Sequence, residues 1–299
     1  MNIINAVTEA HQQTKKLACQ WALEQSSNLK FKAGFDKIYF TVTVENAQVD
    51  VANLRKHICI PFALKHGVSV HIEPLNWHGE NKKRNITAFE VRVHKPTSMA
   101  QINSLIKAFH KYNHPKSACR FNAYSYVELY VDTYLKNFED YSEADHHSIL
   151  AHHLETHVQN MKTLHNPGNQ WIFWEKGKHQ YKPGKTDLFL DFLEGKNYRM
   201  GDKNDGDKKN KVLNPENLYT HAYLKVRTNR STQLLTRGLV RARFEIGFRG
   251  EEIRSLLNHN GLTAEAQAEL FYMKPNAIPG TNDRIRKALQ NLSKRFNKE

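Results

Sequence analysis

The chain has 299 residues, enough to bury a real core as one large domain or two modest ones, and its 44 Lys and Arg outweigh 30 Asp and Glu to give a net charge of +14. A sequence pI near 9.5 points to a polyanionic partner and names none. No run of about 18 apolar residues exists to cross a membrane, and the polar N-terminus lacks the charged-then-apolar layout of a secretory signal. Cys19, Cys59 and Cys119 are odd in number and far apart, with no CxxC spacing for a zinc site or a disulfide framework. These features exclude a disulfide-stapled secreted domain and lead us to expect a soluble protein of a reducing cytoplasm.

Residues 5–25 scatter Ala6, Leu17, Ala18, Trp21 and Leu23 among polar residues and predict a leading helix. From Lys37 to Val44, Ile38, Phe40, Val42 and Val44 alternate with Tyr39, Thr41 and Thr43, a half-buried strand. Asp50 is a good N-cap for a helix through His66, and Gly67 closes it. A strand over 68–73 turns Val68, Val70 and Ile72 inward; another over 85–94 does the same with Phe89, Val91 and Val93. Pro96 breaks it, and Thr97 or Ser98 starts a helix through Tyr112.

The longest strand runs over 121–135, with Val127, Leu129, Val131 and Leu135 on one side and Tyr124, Tyr126, Glu128, Tyr130, Asp132 and Tyr134 on the other. A helix over 143–163 opens at Ser142. Its histidines, His153-Leu-Glu155-Thr-His157 among them, lack the HExxH spacing of a zinc helix and read as a solvated face. Gly, Lys, Asp and Asn dominate 176–212, apart from the island Leu188–Leu193, which suggests a long mobile connection. Asp202 to Asp207 resembles a calcium loop only loosely and reads as a polar loop. Short helices over 251–258 and 263–272 and a basic helix over 283–296 close the chain. The organisation is thus a helical segment over 1–36, an α+β domain over 37–250 and a helical basic segment over 251–299. The expected fold is α+β, a mostly antiparallel sheet with helices on one face and an open polar face.

The stretch 214–249 organises the rest. Asn214 and Pro215 suit a helix start, which would set Tyr219 and Tyr223 four apart on one helical face. From Val240 to Phe248 the chain alternates, placing Arg241, Arg243, Glu245, Gly247 and Arg249 on the polar side. If the strands share a sheet, His71, Glu73, Glu90, Glu128, Asp132 and Glu245 come to one solvent-facing surface, where like charges repel unless a cation lies among them.

Ala222-Tyr223-Leu224-Lys225, then Gly238-Leu239-Val240-Arg241 and Arg243-Phe244-Glu245, resemble segments of the replication endonucleases of filamentous phages, the gene II protein-like initiators of rolling-circle replication. Phe89-Glu90-Val91-Arg92-Val93 and the strand with Glu128 and Asp132 are similar too, in the same order. Ala242 and Arg243 separate two pieces that are contiguous in the family, and the His-hydrophobe-His pair of many rolling-circle enzymes is absent, with His71-Ile72-Glu73 as its nearest variant.

The resemblance implies a Rep-like fold and an enzyme of the bacterial host's cytoplasm that nicks one strand of a double-stranded phage or plasmid origin. Host helicase and polymerase would be its partners. Tyr223 would be the primary nucleophile, with Tyr219 a candidate for the second of the paired tyrosines that some rolling-circle enzymes use, and attack on a phosphodiester would leave a 5′-phosphotyrosine and a free 3′ hydroxyl. Only about one phenol in a thousand is ionised at neutral pH, so the tyrosine needs help. Lys225 would supply positive charge, and Mg²⁺ or Mn²⁺ held by Glu128, Asp132 and Glu245 would orient the phosphate. Arg92, Arg241, Arg243 and Arg249 would grip the DNA backbone. Two alternatives stay open: a non-catalytic nucleic-acid binder that stacks bases on Tyr124, Tyr126 and Tyr130, and a metal-dependent endonuclease that hydrolyses with water.

Overall fold

A computed structural model describes residues 3–24, 28–45, 51–75, 88–112, 118–160, 170–173, 180–181, 187–201, 218–225, 240–248 and 281–298. The fold is α+β, with antiparallel strand pairs left open rather than closed into a barrel. The chain divides into two compact units. The first comprises Met1–Ala33, Tyr130–Ile246 and Ala264–Gln290, and the second Gly34–Leu129, Gly247–Thr263 and Asn291–Glu299.

In the second unit, β1 (Leu29–Glu45), β2 (Ser69–Pro74), β3 (Ala88–His94) and β4 (Ala118–Leu135) stand in the order β2-β3-β1-β4. Both β2 and β1 run antiparallel to β3, with Ile72 opposite Val91 and Phe40 opposite Val91 on the other side. That register puts Ile38, Phe40, Val42, Ile72, Phe89, Val91 and Val93 into one buried layer, as the period-two pattern requires. The segment after residue 50 is helical, and it is not uniform: α2 (Val51–Leu54) passes through a π-helical turn, Arg55–Cys59, into α3 (Ile60–His66). Pro61 has no N–H to return to the preceding turn, so the backbone widens there instead of continuing the regular ladder. Gly67 ends the helix at φ 63°, a left-handed position where a β-carbon would be strained. α4 (Met99–His110) starts at Ser98, whose hydroxyl accepts from the Gln101 N–H at 3.2 Å and satisfies one of the exposed amides of the first turn.

In the first unit, the end of β4 is followed across the sheet by β9 (Arg241–Phe248), β8 (Leu218–Lys225), β7 (Asn197–Gly201), β5 (Gln170–Phe173) and β6 (Gln180–Tyr181). The region expected to be a mobile connection therefore contains β6, α6 (Leu188–Leu193) and β7, a correction. The apolar island Leu188–Leu193 is the physical reason: Phe189 and Phe192 are buried, and Asp187 caps α6 through the Phe189 N–H at 3.0 Å. Lys196 closes the next turn by pairing with Asp191 and, at 2.9 Å, with Glu194.

Helix α1 (Ile3–Glu24) packs on α5 (Glu143–Asn160), and α5 in turn packs on α6 and β8. Lys15 of α1 reaches Glu155 of α5 at 2.5 Å and Asp187 at 3.6 Å. A small apolar cluster of Leu29, Leu135 and Ile149, flanked by Trp21, Phe31 and Tyr141, ties the start of β1 to α5. The solvated reading of the α5 histidines is overturned, because His146, His153 and His157 are all buried. His153 shares a hydrogen bond with Thr133 at 3.1 Å, and the His157 ring lies 4.3 Å from that of Phe244. The sequence mistakes their side of the helix because neutral imidazole is compatible with either water or a core.

α7 (Thr281–Phe296) is the closing helix, and its seam Ile285, Leu289, Leu292 and Phe296 is buried. The expected helices at 251–258 and 263–272 and the polar loop at 202–207 lie outside the described residues.

Candidate active site

Tyr223 does not stand on a helix. Residues 218–225 form the strand β8, which corrects the helix expected from Asn214 and Pro215. The local sequence explains it: Leu218-Tyr-Thr-His-Ala-Tyr-Leu-Lys is rich in residues that favour a pleated surface, and strand pairing with β7 sets Tyr219 opposite Gly201 and Ala222 opposite Tyr198. Along a strand every second side chain shares a face, so His221, Tyr223 and Lys225 form one row. Ring centroids of His221 and Tyr223 are 4.4 Å apart, and the Lys225 ammonium lies 5.8 Å from the Tyr223 ring centre.

That row meets the charged side of β9. The Tyr223 hydroxyl donates to Glu245 Oε1 at 2.7 Å, and His221 Nδ1 contacts Glu245 Oε2 at 3.1 Å. Arg243 presents its Nη1 to Glu245 at 3.4 Å and grips Asp132 with two parallel bonds, Nε to Oδ1 at 2.6 Å and Nη2 to Oδ2 at 2.8 Å. Its guanidinium lies 3.8 Å from the Tyr130 ring centre. Arg241 pairs with the same Asp132 at 2.9 Å, and the Tyr134 hydroxyl donates to it at 3.2 Å.

These contacts decide the electrostatics. Burial by itself would raise the Glu245 carboxyl, but His221, Arg243 and the Tyr223 hydroxyl together hold it well below the usual carboxylate range. Burial would likewise lower Arg243, yet Asp132, with Glu245 and Tyr223, raises it above the ordinary arginine value. The site therefore keeps a carboxylate ionised against a phenol hydroxyl, with a fixed cation beside it. Tyr223 itself is half-buried, so its ring is neither sealed in nor loose.

The part of the polar face that carries Glu128, Asp132 and Glu245 was expected to meet solvent and does not, which is the main correction. Glu128, Asp132 and Glu245 are 1%, 2% and 3% exposed, and Arg243 is 2% exposed. Buried charge survives where it is paired, and every one of these groups has an opposite charge in contact. Asp132 is consequently given over to Arg243 and Arg241 and is not arranged as a metal ligand. Arg243, and with it the mostly buried Arg241, is committed to protein carboxylates and does not face outward to grip a phosphate. Arg249 lies outside the described residues. Tyr219 is placed in β8 by its backbone.

The second unit holds the remaining acids. Glu128 accepts from the Lys37 ammonium at 2.6 Å and from the Tyr126 hydroxyl, and Lys37 lies 3.9 Å from Asp36. A carboxylate oxygen of Asp36 and one of Glu128 are within 4.8 Å of each other, a pair suited to sharing a cation. Glu245, in the first unit, is a buried acid of the same donor type. Arg92 pairs with Glu73 at 2.6 Å and Glu90 at 2.7 Å and lies over the Tyr39 ring. His71 is exposed beside Ser69 at the edge strand, where its ring meets that of His94. Tyr126 is buried against Tyr39, so it offers no exposed ring for base stacking.

Sequence reasoning missed His221, Asp36 and Lys37. His221 sits two residues before Tyr223, and reading the segment as a strand would have placed it on the same face. Asp36 falls where the sequence suggested a basic link ahead of β1, and the strand in fact begins at Leu29.

The chain matches no protein-family model and no curated protein sequence. No helix among the described residues is long and apolar enough to cross a membrane.

Proposed function

We propose that the chain is a DNA nicking and joining endonuclease that starts rolling-circle replication of a phage or plasmid, with Tyr223 as its nucleophile. The observation that carries this reading is the 2.7 Å bond from the Tyr223 hydroxyl to an ionised Glu245, flanked by Arg243 and by Lys225. A hydroxyl nucleophile is weak until a neighbouring base takes its proton, and a base oriented by a third group is the usual arrangement. Here Glu245 accepts from the phenol and His221 holds the other carboxylate oxygen.

In the proposed step the phenol proton passes to Glu245 as the tyrosine oxygen bonds to phosphorus. The bond from phosphorus to the 3′ oxygen breaks, and that oxygen takes a proton from water to leave as a free hydroxyl. Reversal rejoins the strand without ATP, since the phosphotyrosine keeps the bond energy. Lys225 stabilises the charge that builds on the phosphoryl oxygens. Asp36 and Glu128, in the second unit, would supply hard oxygens that suit Mg²⁺ or Mn²⁺. Asp132 positions Arg243 instead of binding metal. A double-stranded origin, locally opened, is the substrate, and host helicase and polymerase act on the freed 3′ end.

Supercoiled origin DNA incubated with the protein and Mg²⁺ tests the reading. A denaturant-resistant protein–DNA adduct, lost in Tyr223→Phe, is expected. Nicking without any adduct would instead support hydrolysis by water, and binding without nicking a non-catalytic role.

A further inference from the structure

We propose that the outward face of α7 is a phosphate-gripping surface for duplex DNA, an inference that rests on the DNA substrate proposed above and extends it to a second, non-catalytic contact. The helix Thr281–Phe296 carries Arg284, Arg286, Lys287, Lys294 and Arg295 against the single acid Asp283. Its apolar residues fall on one line, Ile285, Leu289, Leu292 and Phe296, all at most 2% exposed. Phe296 closes that line by packing against Phe35 at 4.0 Å between ring centres.

At 100° per residue, Lys287 and Lys294 lie directly opposite this seam, and both are exposed. They are two turns apart, about 10.5 Å along the axis. Arg286 and Arg295 widen the strip on either side, and Arg286 shares its charge with Asp283 at 3.7 Å.

Two other occupants fit less well. A membrane surface is met by amphipathic helices that bury an apolar face in the lipid boundary, and the apolar face of α7 is already covered by its own chain. A purely structural role covers part of the charge, because Lys294 and Arg295 in the last turn complement the helix dipole. It does not account for Lys287 in the first half. The buried Arg243 and mostly buried Arg241 leave the molecule's phosphate contacts to be made elsewhere, and α7 is a described element that presents a strip of exposed cations.

The test compares the full chain with the Lys287→Glu/Lys294→Glu and Lys287→Gln/Lys294→Gln variants, by fluorescence anisotropy of a labelled duplex over a salt series. Losing two phosphate contacts should lower the slope of log affinity against log salt by about 1.8 and weaken binding at least tenfold at low salt. Circular dichroism and the thermal midpoint should be unchanged in the Gln pair, which guards against a Glu pair that unfolds. An unchanged slope and affinity in a folded Gln pair would overturn the proposal. Vesicles of anionic phosphatidylglycerol that displace the duplex from the wild-type chain would overturn it in favour of a lipid surface. Tyr223→Phe should keep the wild-type slope, so a chain that binds with full slope and forms no adduct refutes the chemistry alone. A chain whose lysine variants form adduct and keep full slope refutes the surface alone.

Discussion

At the scale of single residues the site depends on which oxygen each cation holds. Arg243 is buried with both of its forks satisfied, so Asp132→Asn would break its two short charged bonds and leave it only the longer contact with Glu245 at 3.4 Å. A loss of about 3–5 kcal/mol is expected for breaking such a buried pair, read as a lower urea midpoint with an unchanged slope. The Tyr223 hydroxyl is different. Tyr223→Phe removes one hydrogen bond and should cost only about 1 kcal/mol, so stability and adduct formation should separate in that variant. If the protein instead unfolds, the phenol is structural. How much of this was legible in the sequence follows the same division. Tyr223, Lys225, Asp132 and Glu245 stand out as residue types, and the structure does bring the last of them against the first. The partners of Asp132 were not legible, because alternation says which face a side chain takes and nothing about which neighbour it meets. Two arginines within reach of one aspartate turned a presumed metal ligand into an anchor.

At the scale of elements, strands were read well where one face is greasy. β3 and β4 sit where alternation put them, and β1 contains its expected stretch 37–44 but begins earlier, at Leu29; within that stretch a one-residue slip would expose every core side chain. β8 was missed because Asn214-Pro215 is a strong helix start and was given more weight than the residues after it. β9 has both faces buried, and its polar face was taken for a wet one for the reason just given. One consequence of this packing is sharp. A β-carbon at Gly247 would come within 2.3 Å of the Tyr126 hydroxyl and 2.8 Å of its ring. Tyr126 is buried, and its hydroxyl is held by Glu128. Gly247→Ala should therefore destabilise by about 1–3 kcal/mol, as overpacked cores do, measured by thermal unfolding. Adding Tyr126→Phe should recover only part of the loss, since the ring carbons still collide. Full tolerance of Gly247→Ala would show that the strand has slack.

At the scale of the whole molecule, buried histidines set a pH response. Burial, with the charges of His157 and His152, pushes His153 down to about 3. Burial pushes His157 down to about 4, and burial with His147 does the same to His146. In each case the folded state resists a proton that the unfolded chain accepts near its ordinary value of 6.5. Their contribution is therefore complete above that value and is lost as pH falls from about 6.5 toward about 4, and toward about 3 for His153. Glu245, held low, acts in the same direction at more acid pH: its stability is present above the usual carboxylate range and fades as pH drops through it. Unfolding at pH near 5 should take up about three protons, measurable as the pH slope of the unfolding free energy. A flat slope there would mean these rings are wet. None of this was visible in the sequence, where the same histidines looked like a solvated face.

The central claim is that the Tyr223 oxygen becomes joined to DNA phosphorus. Digesting the adduct with protease and nuclease and locating the residual nucleotide by mass spectrometry tests it most directly. The account predicts a phosphonucleotide on the peptide that carries Tyr223, with the 5′ phosphate as the link. A nucleotide on any other side chain, or quantitative nicking with every tyrosine unmodified, would contradict it.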